Sequence, residues 1–371
     1  MARRLRVLMV TGSLPPIPCG VGDYTARLAS ALGETDRARV ALLGVTPDLA
    51  SVLEQADKPL KLLSVIRSWN RWKPVRTLLR AALWRPDVVH IQWPGRGYSE
   101  SRLSLLARVL VDFFRVPLVL TLHEHIPAGF TSTQAMAGLA RLVITVRPNF
   151  ATGFVDGISA AARDKELVVI ENGPALPAVV ATAEQRDAFR KRHGIPDGKA
   201  IVSYFGLFYH SKGVEQLFEI ADPQRHHLVL MGGQADGLGD YYAQVARRAE
   251  ADEWRGAASL LGFQPPSEAA LALACSDAVV LPFRQGGGIW NTSIHGARLQ
   301  GVFLLTTSTT EHGYDPRRNL YWARPGDVNE LRSALNQYCG VRVPGSDFDV
   351  PAWPSIADRH LAVYRRALSG R

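Results

Sequence analysis

The chain of 371 residues predicts an α/β protein made of two Rossmann-like, doubly wound domains facing a central cleft. Three observations carry this. Short β-branched or leucine-rich runs alternate with segments of helical spacing, the pattern of parallel strands joined by crossover helices. A proline-bearing stretch at 173–198 interrupts the alternation. A second series of the same kind then follows.

Taken in order, the first domain reads as strands at 5–11, 40–45, 88–92, 118–122, 142–146 and 167–170, each a short apolar run suited to burial on both faces. Val75, Leu78, Leu79, Ala82 and Leu83 recur at helical spacing and predict a helix whose leucines face the core. Leu103, Leu106, Val109 and Leu110 begin another. Pro174, Pro177 and Pro196 punctuate the linker, which holds a short charged helix near 184–193. The second series places strands at 201–205, 228–231, 259–261, 278–281 and 302–306, and a helix over 355–368 closes the chain. The expected boundaries are an N-terminal domain at 1–172, a linker at 173–198, a C-terminal domain at 199–350, and a terminal helix at 351–371 that crosses back to the first domain.

Composition narrows the class. Apolar residues make up 47% and charged residues 21%, which excludes disordered, collagen-like and coiled-coil chains. Cys19, Cys275 and Cys339 are far apart, so neither a disulfide scaffold nor a zinc ribbon is expected, and a reducing compartment fits. The basic N-terminus has an apolar stretch that stops at Val10, too short for a signal peptide, and no run approaches the ~18–20 residues of a membrane span. The expected location is therefore cytoplasmic, or peripheral on the inner face of the membrane. The net charge is +9 and uneven: residues 1–172 hold 22 Lys and Arg against 14 Asp and Glu.

Loops at the carboxyl ends of strands are where ligands bind in such sheets. After the first strand, Gly20 and Gly22 open a helix whose amides suit a phosphate, although the loop is not the GxGxxG fingerprint. After the strand at 201–205 come Gly206 and, just before Gly213, Lys212, a point charge for an anion. After the strand at 278–281 come Arg284, the run Gly286-Gly287-Gly288, and Asn291, Thr292 and Ser293 in a first helical turn. Three glycines are costly to order, and close backbone approach to a diphosphate is the expected reason for them. A fourth loop, Thr121-Leu122-His123-Glu124-His125, lacks the third ligand that a zinc site needs.

Together these segments resemble glycosyltransferase family 4, whose members have the GT-B fold. The opening Gly20-Val21-Gly22-Asp23-Tyr24 is similar to its N-terminal glycine loop, and Pro86-Asp87-Val88-Val89-His90 and Thr121-Leu122-His123-Glu124 to two of its strand-end motifs. Val169-Ile170-Glu171-Asn172-Gly173 resembles its hinge, and Gly206 through Lys212-Gly213 its lysine loop. Two glutamates usual in that family are replaced by Gly288 and Gly296, and an arginine of its lysine loop by Leu207.

The resemblance implies sugar transfer from a nucleotide-sugar, UDP- or GDP-linked, with retention of configuration, no bound cofactor and no metal. The acceptor is a glycan or a lipid-linked molecule of cell-surface polysaccharide, lipopolysaccharide or glycolipid synthesis. Donor contacts fall on Gly20, Gly22, Gly206, Lys212, Arg284, Gly286, Gly287, Gly288, Asn291, Thr292 and Ser293. The catalytic candidates are His123, Asp23 and Lys212; the acceptor side is His123, Glu124 and Tyr24. A non-catalytic GT-B-like subunit that binds a glycan or partners an enzyme is the alternative.

Residues 58–86 hold eight Lys and Arg and no acid. There Arg67, Trp69, Arg71, Trp72, Lys73, Arg76 and Arg80 combine cations with indoles, the chemistry of contact with an anionic membrane surface. No nucleic-acid motif accompanies them, so nucleic acid is not an expected partner.

Overall fold

The computed structural model describes residues 3–47, 61–66, 68–69, 74–94, 103–123, 131–147, 165–233, 239–288, 290–343 and 350–369. They pack as two units, one of Met1–Gly173 with Pro351–Arg371 and one of Pro174–Val350.

The first unit holds β1 (Leu5–Ser13), α1 (Gly20–Glu34), β2 (Ala38–Val45), β3 (Lys61–Ile66), α2 (Pro74–Trp84), β4 (Val88–Trp93), α3 (Leu103–Arg108), β5 (Leu118–Leu122), α4 (Thr131–Leu139), β6 (Leu142–Thr145) and β7 (Glu166–Val169). The strands form one parallel sheet in the order β3-β2-β1-β4-β5-β6-β7, with Met9 of β1 paired to Leu42 on one side and His90 on the other. Helix α3 runs on as a π-helical turn, Val109–Phe113. One face of the sheet is covered by α1 and the terminal helix Trp353–Ser369, through Leu28, Leu32, Leu361 and Tyr364. On the other, Ala81 of α2, Leu106 of α3 and Ala137 of α4 share a core with Leu8, Ile91 and Leu120.

Helix α2 is turned relative to its expected amphipathic face. Thr77 and Ala81 point inward, whereas Leu79 and Leu83 are 59% and 81% exposed. The indole of Trp69 takes up part of the core on this face of the sheet. It is 3% exposed within the core that also holds Ala81, and its Nε1–H donates to Gly12 O at 2.8 Å. Burying one leucine stabilises a fold by about 1.5–3 kcal/mol, so two outward leucines on one helix mark a surface with another task.

The second unit holds α5 (Ala183–Arg192), β8 (Ala200–Phe205), β9 (His226–Met231), α6 (Gly239–Glu250), β10 (Ala258–Gly262), α7 (Pro266–Cys275), β11 (Ala278–Leu281), α8 (Thr292–Arg298), β12 (Phe303–Thr307), β13 (Gly313–Asp315), β14 (Leu320–Ala323) and α9 (Val328–Tyr338). Its sheet order is β10-β9-β8-β11-β12-β14-β13, parallel except where β13 pairs antiparallel with β14. That final hairpin and β3 go beyond the strands legible in the sequence. Thr182 and Gln185 form a reciprocal capping box that starts α5, and Phe189 anchors the helix in the second unit's core. Among the described residues, no helix is long and apolar enough to cross a membrane.

Candidate functional site

In the second unit the strand order reverses between β8 and β11, the switch point where open α/β sheets seat ligands beyond their carboxyl ends. The loops that follow these two strands are tied to each other. The Arg284 N–H donates to Ser211 O at 3.0 Å, and the Gln216 side-chain amide donates to Pro282 O at 3.0 Å. Gly213 permits this closure: its φ is +65°, and a Cβ there would strike Pro282 O. Half-buried Lys212 consequently lies with its ammonium 4.5 Å from the Phe283 ring centroid. Arg284 stands on the adjoining loop, its guanidinium paired with Glu215. Glu215 also accepts from the Tyr241 hydroxyl. Burial first, and Glu215 second, push that hydroxyl well above its ordinary range. The site therefore gathers two cations and one buried carboxylate. Sequence reasoning missed Glu215 and Tyr241; an acid directly after Lys212-Gly213-Val214 in an apolar run was the available signal.

The glycine run has a different reason from the one expected. Gly286 N–H donates to Phe283 O at 3.1 Å, Gly287 N–H to Thr307 O at 2.6 Å, and Gly288 N–H to Asn291 Oδ1 at 3.0 Å. All three amides are thus engaged within the unit rather than presented to a phosphate. A Cβ on Gly287 would strike the Phe283 ring, and one on Gly288 the Trp290 ring. Gly287 and Gly288 are demanded by aromatic packing, and Gly286 by its φ of +78°. Gly206 is similar, its amide donating to Met231 O at 3.0 Å. Asn291 is occupied as the acceptor that shapes the loop, while Thr292 and Ser293 are half-exposed at the start of α8. Gly296 packs against Leu176, whose Cγ lies 3.2 Å from the Cβ position.

In the first unit, Cys19 precedes α1 without a side-chain cap, and open space surrounds the Cβ position of Gly20. Gly22 serves packing instead, because Ser13 O lies 2.6 Å from its Cβ position. Asp23, in the first turn, reaches solvent, yet the protein crowded around it pushes its carboxyl up to about 6; the Arg27 guanidinium opposes the rise.

Behind this turn lies a buried polar chain. His90 and Gln92 share one face of β4 by their i, i+2 spacing. His90 bonds Tyr364 OH and Thr121 Oγ1, both at 2.7 Å, and His123 Nε2 donates to Gln92 Oε1 at 2.7 Å. His360 Nδ1–H donates to Ile356 O at 2.8 Å, leaving Nε2 to accept from the Tyr24 hydroxyl at 3.3 Å. Burial, then the His360 charge, lowers His123 to about 3, and burial lowers His360 to about 4. His90 is also held well below its usual value by burial and by its histidine neighbours.

Two expectations change here. Tyr24, meant for the acceptor side, is a core residue, its ring packed against His123 and Trp353. His123 is neutral, 8% exposed and a weak base, so of the two base candidates Asp23 has the matched acidity. Gln92, His360 and Tyr364 were not singled out, although polar residues alternating inside an apolar strand hinted at the first.

Of the membrane candidates, Arg76 and Arg80 are exposed and Trp69 is buried against the sheet, which removes it from that role. Glu124, Arg67, Arg71, Trp72 and Lys73 lie outside the described residues. Among the described residues no group of three or more His, Cys, Asp and Glu is gathered for a metal ion.

No family profile matches the chain, and no curated protein matches it. Solved structures do. Over its full length the chain is similar to a glycosyltransferase from Rickettsia africae, at 12% identity, 100% coverage of both chains and a TM-score of 0.74. It is similar to sucrose-phosphate synthase from Thermosynechococcus elongatus, at 15% identity, covering 99% of this chain and 100% of that one, with a TM-score of 0.72. It is also similar to Anabaena HepE in complex with UDP-glucose, at 19% identity, covering 99% and 98%, with a TM-score of 0.67. The chain has the α/β fold of GT-B glycosyltransferases.

Proposed function

We propose that the chain is a glycosyltransferase that moves a sugar from a nucleotide-sugar, UDP- or GDP-linked, to a glycan or lipid-linked acceptor in cell-surface polysaccharide or glycolipid synthesis. The observation that carries this reading is the closure of the β8 and β11 loops on each other at the second unit's switch point, which gathers Lys212 and Arg284 where a diphosphate would seat. The fold shared with glycosyltransferases, one of them holding UDP-glucose, supports it.

In the proposed step the bond between the anomeric carbon and the diphosphate oxygen breaks, and a bond from the acceptor oxygen to that carbon forms. Attack on the same face retains configuration. The acceptor proton passes to a departing phosphate oxygen or to Asp23, whose carboxyl, pushed up to about 6, suits proton exchange near neutral pH. Lys212 stabilises charge developing on the diphosphate, and Arg284 can exchange its Glu215 partner for a phosphate oxygen. This chemistry is metal-independent, and the location proposed is cytoplasmic.

A second reading, a non-catalytic glycan-binding subunit, is favoured by Gly296, which stands where the resembling family has a glutamate and is closed over by Leu176. Thermal unfolding with UDP-, GDP-, ADP- and dTDP-sugars separates the two. A donor raises the midpoint by mass action. Silence from all four donors rejects the transferase reading.

A further inference from the structure

Helices α2 and α3 lie on the same face of the first sheet, sharing one core through Ala81 and Leu106. Their outward sides are apolar where a solvated surface would be polar. Leu79 and Leu83 of α2, Leu105 of α3, and Phe113 and Phe114 at the π-helical turn are all exposed, Phe113 to 76%. The phenyl rings of Phe113 and Phe114 pack edge to face at 5.0 Å, forming one projecting wedge. Arg76 and Arg80 interleave with the leucines along the same stripe, and Arg85, Arg108 and Arg115 are exposed beside it. Residues 74–85 and 103–115 contain these five arginines and a single acid, Asp112. Among the described residues, Arg76, Arg80, Arg85 and Arg108 enter no ion pair. A cavity of about 810 Å³ is lined by Arg115, Arg141, Lys165 and Arg366, and Glu166, the one acid among its described lining residues, is paired to Arg366.

We infer that this face docks the protein on an anionic lipid bilayer, with the two phenylalanines and the outward leucines entering the acyl boundary and the arginines meeting lipid phosphates. Large apolar side chains exposed together on neighbouring helices mark an interaction surface. The occupant follows from charge: an apolar face rimmed by cations and nearly free of acids complements an anionic headgroup layer. The basic cavity, which Val111 and Arg115 on either side of the two phenylalanines in sequence help to line, offers a phosphate-bearing headgroup a recess. This differs from docking through Trp69, which the core holds. It stands independently of the sugar-transfer reading, because none of these residues belongs to the proposed donor site.

The test is co-sedimentation of the full chain with vesicles of phosphatidylglycerol and phosphatidylcholine in equal parts, against phosphatidylcholine alone. The expected result is binding to the anionic vesicles that weakens with salt and falls about tenfold or more in the double variant Leu83→Ser with Phe113→Ser. Arg76→Gln with Arg80→Gln should lower it about tenfold as well. Circular dichroism of the variants should be unchanged, since all four side chains are exposed. Binding that is absent at low salt, equal on the two vesicle types, or untouched by both double variants overturns the inference. So does a concentration-dependent dimer that the Leu83 and Phe113 changes abolish, which assigns the face to a second copy. Donor-induced thermal shifts in the same variants should match the parent protein, so failure to bind lipid and failure to bind a nucleotide-sugar are read separately.

Discussion

Lys212 is a single cation poised over an aromatic face at the mouth of a doubly wound sheet, 4.5 Å from the Phe283 ring centroid. Arg284 on the adjoining loop is paired with Glu215, whereas the Lys212 ammonium stands over the Phe283 ring, so its truncation tests the contact with the diphosphate. Lys212→Ala is expected to lower turnover roughly 10²-fold or more with the thermal midpoint little changed; steady-state kinetics and a melt on one preparation check both. Asp23 offers a second test at this scale. With its carboxyl raised to about 6, the group is protonated below that value and cannot accept a proton, so the rate should rise with pH through about 6. The Asp23→Asn variant should lose that limb while still binding donor. An unaltered pH profile assigns the proton elsewhere.

Elements show where the sequence could be read and where it could not. Most strands between β1 and β12 were legible because each is a short apolar segment whose length and flanks leave few alternatives, although β7 and β10 are only partly buried rather than covered on both faces. β3 and the β13–β14 hairpin were not. Lys61 and Ser64 interrupt the apolar pattern of β3, and Gly313–Asp315 is too short to carry a period. Helix α2 was recognised as a helix but its face was misread at Leu79 and Leu83, because periodicity says that one side is apolar and not that the apolar side is inside. The triple glycine was singled out for the wrong reason, since sequence cannot tell a backbone opened for a ligand from one pressed by Phe283 and Trp290. A direct consequence follows. Gly287→Ala should force its methyl into the Phe283 ring and destabilise the protein by about 1–3 kcal/mol, read by denaturant unfolding, whereas Gly20→Ala, with open space beside it, should cost far less. Equal stability of the two variants contradicts the packing account.

At the scale of the molecule, acid should be destabilising for a specific reason. His90, His123 and His360 are buried neutral, the last two lowered to about 3 and about 4. Unfolded histidines take up protons below about 6.5, and the folded ones refuse them, so stability present above that pH is lost progressively as pH falls toward the folded values. At pH 5 the loss is about 2 kcal/mol for each of His123 and His360. Melts between about pH 7 and about pH 4 should show the midpoint falling throughout that window; a flat midpoint rejects the buried-neutral assignment.

Calorimetric titration of UDP and of GDP into the full chain and into Lys212→Ala is the most direct test of the donor site. At least one of the two nucleotides should bind the parent protein, and Lys212→Ala should bind it about tenfold or more weakly, as expected for loss of a charged hydrogen bond. No heat from either nucleotide, or equal affinity in both proteins, would contradict the placement of a diphosphate between the β8 and β11 loops.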